Sequence, residues 1–473
     1  MSQPGEQPSD RPVVFVLYGA TGDLARRLVL PSFAALHRAG RLPRRWALVG
    51  SGRSQRSDDD FRAELREAVD DDEAAGAMAP HLHYAGGGFA EDDPGQLLDV
   101  LGRVRGELGD DVQLVHYLAL PPSTFAPYTR ALAAHGLTDG ARVVYEKPYG
   151  RSAGDFEELD ALVRSVLEEE QVFRIDHFLG KEATQQLHVL RFANRVLEQV
   201  WSREHVAAVQ IDVPETLDVA DRAEFYDETG AVLDMLVTHL VQVAAEVALE
   251  PPAGPAPEDL QTAREAVIAA FRPIDPDDVV LGQAQGYLDL PEVADGSTTD
   301  TFVAARMLVD TDRWRDVPFL MRTGKRLAGS AQQVHLVLRE PDTHIPGAAQ
   351  GRDVPEVLTV DLKGSGGVEV RLTAARPGFE GELVQGTLRL DLAELPEAEP
   401  FPAYAALLLD VLRGNRALFT SAAGLREAWR VVDPLLAHRP PVQPYAPGTW
   451  GPRGADELAA PHGWLTQAGP GLH

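Results

Sequence analysis

The stretch VVFVLYGATGDLA, Val13 to Ala25, decides how the first part of this chain is read. From Val13 the residues are apolar without alternation until Gly19. That is the pattern of a strand buried on both faces, as in a parallel sheet. Gly19-Ala20-Thr21-Gly22-Asp23-Leu24-Ala25 then forms a G-x-x-G-x-x-A turn into a helical pattern over about Asp23 to Ala39, with Gly40 as its stop signal. Glycine permits the tight turn and lets backbone N–H groups approach a pyrophosphate at the helix N-terminus. The spacing is not G-x-G-x-x-G, and Gly-rich turns that bind nothing are common. Alone, the turn leaves binding open; the strand before it and the helix after it favour binding.

Working outward, WALVG (Trp46–Gly50), LVHYLAL (114–120) and RVVYEKP (142–148) read as further strands separated by helical pattern, which argues for a doubly wound α/β sheet. NAD sites usually carry Asp or Glu at the tip of the second strand to hold the ribose 2′-OH. Here the strand leads into Gly50-Ser51-Gly52-Arg53, without an acid. An arginine there suits the 2′-phosphate of NADP; the alternative is a surface arginine in a polar loop with Ser54, Arg56 and Ser57.

Past about residue 175 the pattern changes. VAAVQIDV (206–213), TFVAARMLV (301–309), QVHLVLRE (333–340), EVLTVDL (356–362) and VEVRLTA (368–374) read as strands, the last two joined by a hairpin turn at Lys363-Gly364-Ser365-Gly366-Gly367. Helical patterns at about 176–200, 228–249 and 403–413 are expected to pack on this mostly antiparallel sheet as an α+β domain. The expected organisation is a disordered tail at 1–10, a Rossmann-like dinucleotide-binding domain at 11–175, and a larger substrate-binding and dimerisation domain at 176–473.

A chain of 473 residues with 44% hydrophobic residues can bury cores in two or more domains. Its formal net charge of −28 makes it a poor nucleic-acid binder, so an anionic ligand must be met by a local cluster of Arg, Lys or His. The chain has no cysteine, which excludes thiol chemistry and fits a cytoplasmic location. No apolar run approaches the roughly 20 residues of a membrane span, and MSQPGEQPSD is unlike a signal peptide. No His and carboxylate cluster has ligand spacing, so no metal site is expected.

Two histidines sit in dense polar settings. His177 lies in RIDHFLGKE (174–182). If that segment starts a helix, His177 and Lys181 share a face while Asp176 points about 100° away. The segment reads either as an anion site or as a salt-bridged helix start. His239 lies on an apolar helical pattern that also carries Asp234, Thr238 and Gln242. A lone histidine there is more often a core group, although histidine is suited to take a hydroxyl proton near neutral pH.

The segments GATGDLA, VGSGR, YEKPYG, RIDHFLGKE, FYDETGAVLDMLVTHLVQ, VPFLMRTGKRL and GPRGADELAAPHGW occur together and in this order. In them the chain resembles the glucose-6-phosphate dehydrogenase family over nearly its whole length. RIDHxLGKE is highly specific, whereas EKP occurs in other sugar oxidoreductases. The resemblance implies oxidation of the sugar C1 hydroxyl with hydride transfer to NADP, at the head of the pentose phosphate pathway. His239 would be the base and Asp176 the carboxylate that orients it. His177 and Lys181 would meet the substrate phosphate, and Lys147 would sit between cofactor and sugar, before a peptide bond to Pro148 that is expected to be cis. Glu215 and Asp234 would accept from sugar hydroxyls, and Lys325 would reach the sugar or its phosphate. Gly19, Thr21, Gly22, Asp23, Leu24 and Arg53 would form the cofactor end, in a cleft between the domains. Homodimers or homotetramers are implied as well.

The chain departs from the family where the phosphate is held. Phe178 stands where a tyrosine is usual, Ser330 where a second lysine is usual, and Leu28 replaces a lysine on the first helix. Val237-Thr238 stands where Gln-Asn usually precedes the base. Losing a hydrogen bond to a charged group costs about 1.5–3 kcal/mol, so two such losses weaken phosphate binding by roughly two to four decades unless replaced. Either arginines such as Arg26, Arg27 or Arg326 take over, or the chain is a paralogue acting on an unphosphorylated or differently substituted hexose. A different sugar oxidoreductase and a non-catalytic NADP-binding relative are further alternatives; the full signature argues against the first, and retention of His239 and Asp176 against the second.

Overall fold

A computed structural model describes residues 11–109, 111–219, 222–341, 355–378 and 383–467, so the tail expected at 1–10 lies outside the described residues. The described residues form sixteen strands, numbered in chain order, and two compact units. The first unit is drawn from Met1–Gly180, Ala253–Thr262 and Phe401–Arg426; the second from Lys181–Pro252, Ala263–Pro400 and Glu427–His473.

The first unit is built on β1 (Val13–Tyr18), β2 (Trp46–Ser51), β3 (Leu82–Ala85), β4 (Gln113–Leu118), β5 (Arg142–Tyr145), β6 (Val172–Ile175) and the short β15 (Phe419–Thr420). Their order is β15-β6-β5-β4-β1-β2-β3. All pairs are parallel except β15 on β6. β1 is buried at every residue, as its unbroken apolar run requires. The order of the strands reverses between β1 and β4, the place where doubly wound sheets open a crevice at their carboxyl edge.

Two expectations are corrected in this unit. The helix Ala403–Arg413 packs here, not on the second sheet. Leu407, Leu408 and Val411 share one apolar core with Leu17, Val144 and Phe173, and Arg142 donates to the carbonyls of Val411 and Leu412, both at 2.8 Å. The unit also runs five residues past the expected boundary, through Gly180. A Cβ at Gly180 would lie 2.7 Å from Leu407 Cγ and 2.9 Å from the Ala403 carbonyl, so this backbone is seated directly on that helix.

The helix expected over 176–200 begins instead at Glu182, as Glu182–Phe192 followed by Arg195–Val200. Residues 177–180 form a turn. Asp176 causes this: its Oδ1 accepts from the Phe178 amide at 2.9 Å, and the Leu179 amide donates to the Asp176 carbonyl at 3.1 Å. An Asp side chain that bonds its own backbone two residues on competes with the helix. The shared helical face expected for His177 and Lys181 therefore does not exist.

The second unit carries a nine-stranded sheet, in the order β14 (Leu383–Asp391), β13 (Gly367–Ala375), β12 (Val357–Asp361), β11 (Gln333–Leu338), β7 (Val206–Pro214), β10 (Phe319–Gly324), β9 (Phe302–Met307), β8 (Val279–Ala284) and β16 (Gln443–Tyr445). It is antiparallel except where β7 meets β10 and β8 meets β16. The expected hairpin at 363–367 joins β12 and β13. Ala223–Ala248 is the long apolar helix of this unit and is mostly buried. Gly230, at φ 63° and ψ 179°, breaks it. Beyond the break, Val232–Leu240 is π-helical and Val241–Ala248 α-helical. The restart is capped from outside the helix: the Ala231 amide donates to the Asp300 carbonyl at 2.8 Å and the Val232 amide to Asp300 Oδ2 at 2.8 Å. Asp300 is fully buried and ion-paired to Arg439.

Candidate active site

In the first unit the expected cofactor residues gather at one edge. β1, β2, β5 and β6 run in the same direction, so Gly19–Leu24, Gly52-Arg53, Glu146-Lys147 and Asp176-His177 all follow carboxyl ends of parallel strands. Gly19 has φ 72°, and its amide donates to the Ser51 carbonyl at 2.9 Å, tying the tip of β1 to that of β2. The Gly22 amide closes the turn on the Gly19 carbonyl at 2.9 Å, and the chain is helical from Asp23. Asp23 pairs with Arg27 at 2.8 Å on the surface. The first amides of a helix have no partner within it, and a helix opening straight after a parallel strand is the arrangement suited to a pyrophosphate.

Arg53 is exposed at the tip of β2, near the ring of Tyr128, whose hydroxyl pKa is raised by burial and lowered in part by the Arg53 charge. Arg56, the next arginine, is tied to Glu64.

After β5, Glu146 is buried, and burial raises its pKa against hydrogen bonds from Tyr117, the Lys147 amide and Tyr404. The Tyr117 hydroxyl donates to Glu146 Oε1 at 2.6 Å. The Lys147–Pro148 peptide is cis, as expected. Tyr404, which the sequence reading missed, stacks on His177 with ring centroids 6.4 Å apart and planes at 20°. Its hydroxyl pKa is raised by burial and then by the Glu146 and Asp176 carboxylates, so one tyrosine faces Glu146, Asp176 and His177 together. Arg174 is not part of an anion site: buried in β6, it is held by Asp160 at 3.0 Å and Glu169 at 2.8 Å.

In the second unit the polar candidates meet at one end of the sheet. β7 and β10 are parallel neighbours ending at Pro214 and Gly324, so Glu215 and Lys325 emerge side by side. The Glu215 amide donates to the Gly324 carbonyl at 3.0 Å, and Glu215 and Lys325 form an ion pair. Lys325 Nζ lies 5.7 Å from the ring centroid of Tyr226. The Tyr226 hydroxyl, buried with no hydrogen-bond partner among the described residues, has a pKa raised well above the ordinary value by burial first, then by Asp234, Tyr445 and Glu215. Tyr226, also missed in the sequence reading, thus links Glu215 and Lys325 to Asp234 on the π-helical segment. That segment carries His239, fully buried, and packs on β9 and β10. Lys181 caps the helix Glu182–Phe192, and its ammonium donates to the Gln332 side chain.

Two family descriptions match the chain: the NAD binding domain of glucose-6-phosphate dehydrogenase over residues 16–186, and the C-terminal domain of the same enzyme over residues 188–465. The chain belongs to the glucose-6-phosphate dehydrogenase family. It is 35% identical over 472 residues to glucose-6-phosphate 1-dehydrogenase 1 of Mycobacterium tuberculosis, covering 95% of this chain and 96% of that protein. The glucose-6-phosphate 1-dehydrogenase of Mycobacterium avium superposes with a TM-score of 0.86 at 32% identity, covering 96% of this chain and 98% of that one. A glucose-6-phosphate dehydrogenase solved in complex with its substrate glucose 6-phosphate superposes with a TM-score of 0.90 at 28% identity, covering 97% and 99%.

As a glucose-6-phosphate dehydrogenase family member, this chain uses its divergent positions, Leu28 apart, structurally. Phe178 is buried, with its ring against His177. Ser330 Oγ accepts from the Thr216 amide at 2.8 Å and joins the stretch before β11 to the exit of β7. Thr238 Oγ1 donates to the Asp234 carbonyl at 2.5 Å, and Val237 is buried. Leu28 is exposed. The arginines expected as substitutes are engaged elsewhere: Arg26 with Glu67 at 3.0 Å, Arg27 with Asp23, and Arg326 with Asp218 at 3.4 Å and the Gln285 carbonyl at 3.1 Å.

Proposed function

We propose that this chain is an NADP-dependent glucose-6-phosphate 1-dehydrogenase that oxidises the C1 hydroxyl of glucose 6-phosphate to the 6-phosphogluconolactone. The observation that carries this is its end-to-end similarity to glucose-6-phosphate dehydrogenases, one of them holding glucose 6-phosphate. NADP supplies the hydride acceptor. His239 takes the proton of the C1 hydroxyl as the hydride leaves C1, and Asp176 is the carboxylate that fixes the imidazole's tautomer and stabilises its charged form. Glu215 and Asp234 accept from sugar hydroxyls. Lys325, ion-paired with Glu215, reaches the sugar or its phosphate. His177 and Lys181 meet the phosphate, and Lys147 lies at the junction of sugar and cofactor. Gly19, Thr21, Gly22, Asp23 and Leu24 cradle the pyrophosphate, and Arg53 takes the 2′-phosphate.

The buried Phe178 and the committed Ser330 favour one second reading, in which the sugar carries no phosphate. Steady-state kinetics separates the two. The expected result is a kcat/KM for glucose 6-phosphate at least about a hundredfold above that for glucose, the value of one or two charged hydrogen bonds, with NADP preferred to NAD. Equal values for the two sugars would replace the first reading by the second.

We also infer a cytoplasmic homo-oligomer. Leu372, Leu388 and Leu390 are exposed on β13 and β14, and the pairings Val368↔Leu390, Val370↔Leu388 and Leu372↔Gly386 put them on one face of the sheet edge. Exposed apolar stripes of this kind mark association surfaces. Light scattering is expected to give a multiple of the 51.3 kDa chain mass, and Leu388→Glu to lower it; a monomer at micromolar concentration would rule the oligomer out.

A further inference from the structure

We propose that Glu246 is a positioning residue: held by Arg264 and His188, it fixes the axial position and rotation of the helix that carries His239. This rests on the reading of His239 as the base. Glu246 is buried on Val241–Ala248, the α-helical continuation of the π-helical segment that ends beside His239. It follows His239 by close to two helical turns, so the two side chains lie on one side of the helix. Its carboxylate is divided between two neighbouring helices. Oε1 accepts from Arg264 Nε on Pro257–Ala269, and Oε2 pairs with His188 Nε2 on Glu182–Phe192. Burial raises the Glu246 pKa, but the charges of Arg264 and then His188 bring it down to about 2, so the carboxylate stays ionised near neutral pH.

The backbone at this end of the helix is held as well. Trp201 Nε1 donates to the Val247 carbonyl at 2.9 Å, Trp314 Nε1 to the Ala248 carbonyl at 2.9 Å, and Arg191 to the carbonyls of Val247 and Leu249. These are carbonyls that a helix C-terminus leaves without an internal partner. Such bonds set where the helix stops. Glu246 adds which face it turns to its neighbours. The residues around it, Ala244, Ala245, Val247 and Ala248, are buried and apolar, so an apolar side chain would bury here too. A buried ion cluster gains little net stability over well-packed apolar groups, but its directed bonds admit one arrangement, whereas small apolar contacts let a helix slide or turn at little cost. The restart of the helix is fixed by Asp300, its far end by Glu246, and His239 lies between the two. His188 and Arg191 both reach this helix from Glu182–Phe192, so the helix that begins after Lys181 runs alongside the helix of the base, with the cluster on their shared face.

The test is the triple variant Glu246→Met, Arg264→Met, His188→Met, which removes the whole cluster and leaves no charge of it buried alone. Its melting temperature is expected at or above the wild-type value. Its kcat is expected to fall by about tenfold to a hundredfold, the cost of a small misplacement by a change far from the chemistry, with the KM for NADP little changed. The limb of the kcat/KM against pH profile that reports the base is expected to shift, because the pKa of an imidazole follows its setting against a carboxylate. A merely structural role would move neither kcat nor that limb once stability is kept. Arg264→Lys keeps the charge but not the planar fork, and is expected to give a smaller loss of kcat in the same direction; it serves where the triple variant does not fold. Wild-type kcat and pH profile in the triple variant, or in Arg264→Lys where the triple variant does not fold, would overturn the positioning role and leave the base in place. A His239→Asn enzyme that keeps its kcat would instead remove the reading on which the role rests.

Discussion

Replacing His239 with Asn lowers kcat by about 10² to 10⁴-fold and leaves NADP binding at its wild-type level, as expected when a general base is removed from a site whose binding groups stay in place. His239 is fully buried on a segment with π-helical hydrogen bonding, Val232–Leu240. Such segments are rare and occur frequently at functional sites, where the widened turn re-aims side chains that a regular helix would space evenly. The Thr238 hydroxyl bonds back to the Asp234 carbonyl, a side-chain competitor for the helical ladder. The segment's start is fixed independently by Gly230 and by Asp300. A residue whose helix is clamped at its start and loosened around it is placed rather than merely packed. Asn keeps a hydrogen-bonding side chain of similar reach but cannot take a proton near neutral pH. Thermal unfolding, measured alongside, separates a lost base from a damaged core. A variant that keeps kcat within about tenfold of wild type would remove His239 from the role of base.

The parts of the fold that were legible in the sequence share a physical cause. β1, β2, β4 and β5 are buried on both faces along nearly their whole length, so their residues are mostly apolar and the runs stand out. The β12–β13 hairpin announced itself through a turn that needs glycine at positive φ. β10 was hidden because its sequence FLMRTG carries a charge in its middle. Arg322 is fully buried, bonded to Asp212 on β7 and stacked near Trp450 and Trp464, so a residue that reads as surface is core. Nothing in AYAALLLDVLR says which sheet it covers, since a helix apolar on most sides fits either. The RIDHFLGKE segment was misread as a helix because helical periodicity takes no account of a side chain such as Asp176 that bonds its own backbone.

For the site, the residue types were legible and their company was not. Glu215 and Lys325 were both candidates, but their pairing depends on the register of β7 against β10, 110 residues apart in sequence. Tyr226 and Tyr404 escaped because a tyrosine in an apolar helix reads as core until its hydroxyl is found among carboxylates.

Gly19→Ala is expected to weaken NADP binding by more than about a hundredfold while lowering the melting temperature by roughly 4–20 °C. Gly19 has φ 72°, where an L-residue costs about 1–2 kcal/mol. An added Cβ would also fall well inside contact distance of the Ala119 carbonyl and 2.9 Å from Leu120 Cδ2. The carbonyl is backbone at the end of β4 and cannot rotate away, so the turn must move, at a further cost of about 1–3 kcal/mol for overpacking. Together these amount to about 2–5 kcal/mol, which shifts the melting temperature of a domain this size by roughly 2–4 °C per kcal/mol without unfolding it. The cofactor is affected more, because the movement carries off the bond from the Gly19 amide to Ser51 that joins the tips of β1 and β2. The amides from Thr21 to Leu24 then lose their aim at the pyrophosphate, and each hydrogen bond to a charged group is worth about 1.5–3 kcal/mol. Gly40→Ala is the control. Gly40 also has positive φ, 62°, but a Cβ there meets nothing within 4 Å. It should show a small loss of stability and no change in NADP affinity, measured by fluorescence titration. If Gly19→Ala binds NADP as tightly as Gly40→Ala does, the G-x-x-G-x-x-A turn is only a tight corner between strand and helix, and the pyrophosphate is held elsewhere.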